Sequence, residues 1–128
     1  MNITKMKQSQ MRCKINAFRR HKERMYAFSN NFSLVRFSNR TGNQLNSLRF
    51  SLSESKQHIM KKLEVCIDLL SKNHKFITEA IFENGSRCDV LDLTSGVVYE
   101  ILCSETDEIF EEKIKKYPKE LEIVKVRV

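Results

Sequence analysis

Between residues 53 and 128 the apolar positions change period three times. Ile59, Leu63, Cys66, Ile67 and Leu70 recur at helical spacing and define one apolar face, so a helix is predicted over 54–72. Ser53 is the expected N-cap, with Glu54 in the first turn, where a carboxylate is favourable. Asn73 can close the helix in a left-handed conformation. Residues 75–83 are rich in Phe, Ile and Thr and read as a strand. The Asn84-Gly85 turn, a second strand over 86–93, the Thr94-Ser95-Gly96 turn and a third strand over 97–103 follow. Ile109, Phe110 and Ile114 mark a second helix over 105–116, which Pro118 ends. Leu121, Ile123, Val124, Val126 and Val128 give a last strand over 121–128. The predicted order is α, β, β, β, α, β.

The first fifty residues show no strong period and no repeat. Ile15, Phe18, Met25 and Tyr26 lie among Arg19, Arg20, Lys22 and Arg24, which suits a short basic helix over 11–28. Residues 29–51 are rich in Ser and Asn, with Phe28, Phe32, Phe37 and Phe50 interleaved, and 34–37 reads as a short strand. A chain of 128 residues suits one domain with a tail. The expected division is a basic N-terminal extension over 1–52, partly ordered at best, and one domain over 53–128.

Charge sharpens that division. Residues 1–50 hold 11 Lys/Arg against a single acid, Glu23, while 51–128 hold 12 against 15 acids. A basic arm ahead of a slightly acidic body is a nucleic-acid pattern, with anionic membrane as the competitor. Arg19, Arg20, Lys22 and Arg24 are the arm's expected backbone contacts, with the phenylalanines able to stack on bases. The bland reading is core plus a solvated tail. No two of Cys13, Cys66, Cys88 and Cys103 are spaced as CxxC, which argues against zinc; small buried thiols in a reducing, cytoplasmic compartment are expected. No apolar run approaches the roughly 18 residues of a membrane span, so no membrane partner is expected. The N-terminus lacks a hydrophobic signal core, although its Arg-rich, acid-poor composition is also that of a transit peptide.

The most informative residues are Asp89 and Glu100, each inside an apolar strand. Carboxylates are depleted there and are costly unless something pairs with them. Two on one face suggest a shared cation, and oxygen ligands suit Mg²⁺ or Mn²⁺. A three-residue loop over 83–85 pairs Phe82 with Ser86 and sets Glu79 opposite Asp89; a two-residue Asn-Gly turn instead sets Ala80 there. Asp89 and Glu100 lie opposite each other if the second hairpin closes at Asp92–Val97 or Leu93–Gly96. The bland readings are a surface ion pair of Asp89 with Arg87 or Lys75, a cross-strand basic partner for Glu79, a turn role for Asp92, a solvated helix face for His58 and Lys62, and a surface position for Lys113.

The ordered set Ser55, His58, Lys62, Thr78-Glu79-Ala80, Gly85, Arg87, Asp89-Val90-Leu91-Asp92, Tyr99-Glu100-Ile101, Cys103-Ser104-Glu105, Lys113 and Tyr117-Pro118 resembles the PD-(D/E)XK nuclease core over roughly 53–128. Its wording is closest to the nuclease regions of CoiA-like competence proteins and small archaeal and viral nucleases. The resemblance implies an α/β, restriction-endonuclease-like αβββαβ core, a mixed sheet flanked by helices. It implies Mg²⁺- or Mn²⁺-dependent phosphodiester hydrolysis, with DNA favoured as substrate and a homodimer among the assemblies. Asp89, Glu100 and the Ile101 carbonyl would hold the metal. Glu79 would be an outer ligand or orient water, and His58, Lys62 and Arg87 would contact nucleic acid. The family places Lys or Gln two residues after the third-strand Glu, and here that residue is Leu102. Either a lysine has moved, with Lys113 or Lys62 the candidates, or the site is weak or dead. A catalytically inactive nucleic-acid-binding protein with the same fold is therefore the second reading, and an accessory protein binding another chain through its last strand is the third.

Overall fold

The computed structural model describes residues 3–36 and 43–128, with side chains from Met11 onward except that of Cys13. Among the described residues it is an α/β fold of three helices and a four-stranded mixed sheet. The elements are α1 (Ile3–Phe32), α2 (Lys56–Ser71), β1 (Phe76–Ile81), β2 (Arg87–Asp92), β3 (Val97–Leu102), α3 (Asp107–Ile114) and β4 (Glu122–Arg127). The sheet order is β1-β2-β3-β4; the first three strands are antiparallel and β4 runs parallel to β3. From α2 onward the order is the expected one.

Both hairpins close in the registers that bring the carboxylates together. The Phe82 N–H donates to the Ser86 carbonyl at 2.8 Å, and Gly85 takes φ +88°, which defines the three-residue loop. Thr78 pairs with Val90 and Ala80 with Cys88, so Glu79 faces Asp89. Asp92 pairs with Val97 and Val90 with Tyr99, so the next residues along, Asp89 and Glu100, face each other.

Two apolar clusters cover the two sides of the sheet. Cys66 and Leu69 of α2 pack on Phe76 and Val90. On the other side Ile77, Ala80, Phe82, Cys88, Leu91 and Val98 pack with Tyr117 and Leu121. Side chains of a regular strand alternate with period two. Yet Ile77 and Ala80, three apart, share one cluster, and so do Cys88 and Leu91. The alternation therefore slips by one residue at Glu79 and at Asp89. Glu79 shows the cause: it sits in the left-handed region at φ +53°. Such a kink re-aims a side chain, as a bulge does, and a non-glycine residue there carries a strain of about 1–3 kcal/mol.

Several expectations are corrected. Ser55, not Ser53, caps α2; its hydroxyl accepts the His58 N–H at 3.1 Å. Glu54 thus precedes the helix. The inward face of α2 is also rotated from the one expected. Lys62, Cys66 and Leu69 are buried, while Leu63, Ile67 and Leu70 are exposed. Apolar spacing missed this because two polar side chains, His58 and Lys62, turn toward the sheet. Asn73 closes the helix at φ +59°, as expected. In α3, Phe110 is buried but Ile109 is exposed. Cys66 and Cys88 are buried thiols, whereas Cys103 is exposed; burial pushes the Cys66 thiol up to about 11. The side chain of Cys13 lies outside the described residues.

The N-terminal residues also do more than the pattern suggested. α1 runs for 30 residues, longer than the short helix expected. Phe28, Phe32 and Leu34 pack against the larger cluster, and Val35 is buried within it. The free edge of β1 would expose unpaired backbone groups. Residues before 50 occupy it: the Arg36 N–H donates to the Ile81 carbonyl, the Glu83 N–H to Leu34, and the Asn46 N–H to Phe76. The strand expected over 34–37 is a single bridge from Val35 to Phe82; Phe37 lies outside the described residues. No helix among the described residues is long and apolar enough to cross a membrane.

Candidate active site

Asp89 and Glu100 stand where two strands part. The β2–β3 ladder ends at the Val90–Tyr99 pair. Beyond it the carboxylates take over the backbone bonds. The Ile101 N–H donates to Asp89 Oδ2 at 2.8 Å, and the Asp89 N–H donates to Glu100 Oε1 at 3.1 Å. In a strand the N–H and C=O of one residue point the same way, so the Ile101 carbonyl also turns toward this gap.

The α3 side secures Glu100, which is 1% exposed. Lys113 Nζ donates to its Oε2 at 2.8 Å. The Tyr117 hydroxyl lies 2.7 Å from Glu100 Oε1 and 2.8 Å from the Arg87 carbonyl. One hydroxyl proton cannot serve two acceptors. A proton on Glu100 would complete the set, and its pKa is indeed raised, by burial first and then by Asp89, against the pull of Lys113 and Tyr117. Burial and Glu100 together push the Tyr117 hydroxyl far up.

The α2 side carries a second cluster. Lys62 is 0% exposed. Its ammonium donates to the Arg49 carbonyl at 3.0 Å, Glu54 Oε1 at 2.8 Å and Glu79 Oε1 at 2.6 Å. Those bonds use all three protons. Lys62 therefore lies on no solvated helix face, the bland reading of its position, and its ammonium is committed to these three partners rather than presented as the expected nucleic-acid contact. It holds the strained Glu79 in place and ties residues 49 and 54 to β1. Burial and the neighbouring Glu54 raise the Glu79 pKa. Burial opposes the Glu54 carboxylate too, but the bonds from Glu79 and Lys62 outweigh it and lower its pKa. His58 joins the two clusters, with Nε2 3.4 Å from Asp89 Oδ2 and Nδ1 3.4 Å from Glu54 Oε2. Glu54 Oε2 and His58 Nδ1 are buried without a hydrogen-bond partner.

Removing the central cation of this cluster has a calculable consequence. Lys62→Met removes the shared cation of two largely buried carboxylates and leaves Glu54 only His58 and Glu79 only the more distant Arg87, a class of change that costs about 3–5 kcal/mol. Urea unfolding followed by circular dichroism should show a loss of that size; a change under 1 kcal/mol, the worth of an exposed pair, would refute the buried clamp.

The other expected residues are spread wider. Arg87 is exposed, its guanidinium 3.9 Å from Glu79 Oε2. Arg19, Arg20, Lys22 and Arg24 are exposed on α1, with Lys22 over the Tyr26 ring. Asp92 is a turn residue, accepting the Thr94 and Ser95 N–H groups, and it also binds the Ser95 hydroxyl and His74 Nδ1. Leu102 is buried at 4% exposure. Sequence reasoning missed the roles of Glu54 and of the Arg49 carbonyl; the Ser55–His58 cap spacing was the available signal for Glu54's place outside the helix.

Among the described residues no three or more His, Cys, Asp or Glu side chains gather to hold a metal ion. The donor set at the strand gap is two carboxylates and a backbone carbonyl, all hard oxygens of the kind Mg²⁺ and Mn²⁺ prefer. Around it Glu54, Glu79, Asp89 and Glu100 gather beside the Lys62 and Lys113 ammonium groups. Comparison with family models, curated proteins and solved structures finds no match to this chain.

Proposed function

We propose that the chain is a metal-dependent nuclease with a restriction-endonuclease-like core, acting on DNA. The observation that carries this reading is the pair Asp89–Glu100, buried at the point where β2 and β3 part and bonded to the backbone amides there. A structural ion pair needs no such gap. Asp89, Glu100 and the Ile101 carbonyl would hold Mg²⁺ or Mn²⁺, which would lower the pKa of a water and polarise the phosphate. Glu79 and Glu54, fixed by Lys62, line the approach to Asp89 with His58 between them.

The cation missing at Leu102 is supplied from α3. Lys113 reaches Glu100 at 2.8 Å yet keeps nearly half its side chain in solvent. It can meet both the carboxylate and an incoming phosphate. Lys62 cannot, because all three of its protons are committed. Cleavage of plasmid DNA in Mg²⁺, stopped by EDTA, tests the proposal. If the purified chain binds DNA and never cuts it, the inactive-binder reading replaces this one; Leu102 is what favours that alternative.

The basic residues of α1 would supply affinity rather than chemistry. Each lost phosphate contact should flatten the salt dependence, log Kd against log salt, by about 0.9. Arg19→Gln with Arg20→Gln and Lys22→Gln should weaken binding and flatten that slope while leaving kcat unchanged. An unaltered slope would remove α1 from the DNA interface.

A further inference from the structure

Away from the carboxylates, α1 and the loops at the opposite end of the β2–β3 hairpin enclose a cleft of about 420 Å³. That is within the roughly 300–1,000 Å³ range of ligand pockets. Arg24 and Lys75 bring positive charge to it, His21 adds an imidazole, and Met25, Phe28 and Leu45 form an apolar floor; no carboxylate lines it. Its walls are fixed by bonds rather than by chance. Asn31 of α1 donates to the Leu93 carbonyl at 2.7 Å and stands against Gly96, which takes φ +72°. The Lys75 N–H donates to Thr94 Oγ1 at 2.8 Å, seating that lysine beside the turn. Leu45 is held by its bridge to Ile77.

We infer that this cleft is a nucleotide subsite, taking one base against Phe28 and Met25 and its phosphate between Arg24 and Lys75. A flat apolar ring system carrying an anion is the ligand that uses both halves of the lining. A purely apolar ligand would leave the cations idle, and free phosphate would leave the floor idle. Base stacking on an aromatic side chain is sequence-tolerant. The inference rests on the nuclease reading, in which the ligand is the single-stranded flank of the DNA substrate. Thr94 lies five residues along the chain from Asp89, about 16 Å at strand rise, so the cleft would anchor the strand at a distance from the reacting phosphate.

Nuclear magnetic resonance of the full chain, titrated with thymidine monophosphate and separately with inorganic phosphate, tests this. Thymidine monophosphate should shift Met25, Phe28, Leu45 and Thr94; phosphate should shift only the Arg24 and Lys75 neighbourhood. Identical patterns for both probes, or no shifts at these residues, would overturn the subsite. Arg24→Gln with Lys75→Gln should raise the Kd for a labelled oligothymidylate about tenfold. The equal charge change Lys61→Gln with Lys119→Gln should not, and equal losses in both pairs would reduce the effect to net charge and overturn the subsite. Loss of cleavage in Asp89→Asn reports on the nuclease reading alone, because that variant should bind thymidine monophosphate as the wild type does.

Discussion

Asp89→Asn and Glu100→Gln are each expected to leave a folded protein that no longer cleaves DNA in Mg²⁺. Both changes keep the shape of the side chain and remove the charge that a divalent cation would need. Glu100→Gln is the cleaner of the two. Its amide oxygen can keep the bonds from the Asp89 N–H and the Tyr117 hydroxyl, and Lys113, released, is exposed enough to be solvated. The metal-free stability should even favour the variant. Burial raises the Glu100 pKa in the folded state, so the folded chain holds that proton more tightly than the unfolded chain does. That contribution is fully present below the ordinary carboxylate range and is lost as pH rises through the raised value. At neutral pH in EDTA, Glu100→Gln should therefore unfold at a temperature equal to or above that of the wild type. Full cleavage by either purified, folded variant would remove these residues from the reaction. Lost cleavage together with a collapsed fold would show instead that the carboxylates are structural.

Lys113→Met is expected to slow cleavage by about 10²–10³-fold, the usual effect of removing one group that stabilises developing charge, while DNA affinity changes little. The lysine stands 2.8 Å from Glu100 and reaches it from α3 rather than from β3. Its pKa is raised by Glu100 against the opposing effect of burial, so it stays charged at any pH where the site would work. Leu102→Lys should restore part of the lost rate if the two positions can serve one phosphate. Single-turnover kinetics separates the chemical step from binding. A Lys113→Met enzyme that cuts at the wild-type rate would return the site to a search for its cation.

The physical signals along the chain differ in how much of the fold they carry. The element order from α2 to β4 was legible because the apolar period switches cleanly between helical and alternating segments. The hairpin registers were legible only as alternatives: Asn84-Gly85 admits a two- or a three-residue loop, and the three-residue one that forms is the one that aligns Glu79 with Asp89 and Glu100. The inward face of α2 was not. An apolar stripe is the default inward face, and here a fully buried lysine overrides it through three bonds to partners distant in sequence. The left-handed kink at Glu79 has no local signal, since nothing in Thr-Glu-Ala asks for positive φ; the buried lysine is what stabilises it. Residues 28–36 and 43–49 looked like tail because their bonds to the β1 edge come mostly from the backbone and from Asn side chains.

The most direct test of the metal site is a crystal structure grown with Mn²⁺, with data collected at the manganese absorption edge. An anomalous peak is expected between the Asp89 and Glu100 carboxylates, within about 2.0–2.6 Å of oxygen ligands, with the Ile101 carbonyl among them, and no such peak in Asp89→Asn with Glu100→Gln. A peak elsewhere in a protein that cuts DNA, or no peak at that position in crystals soaked to saturation, would contradict it.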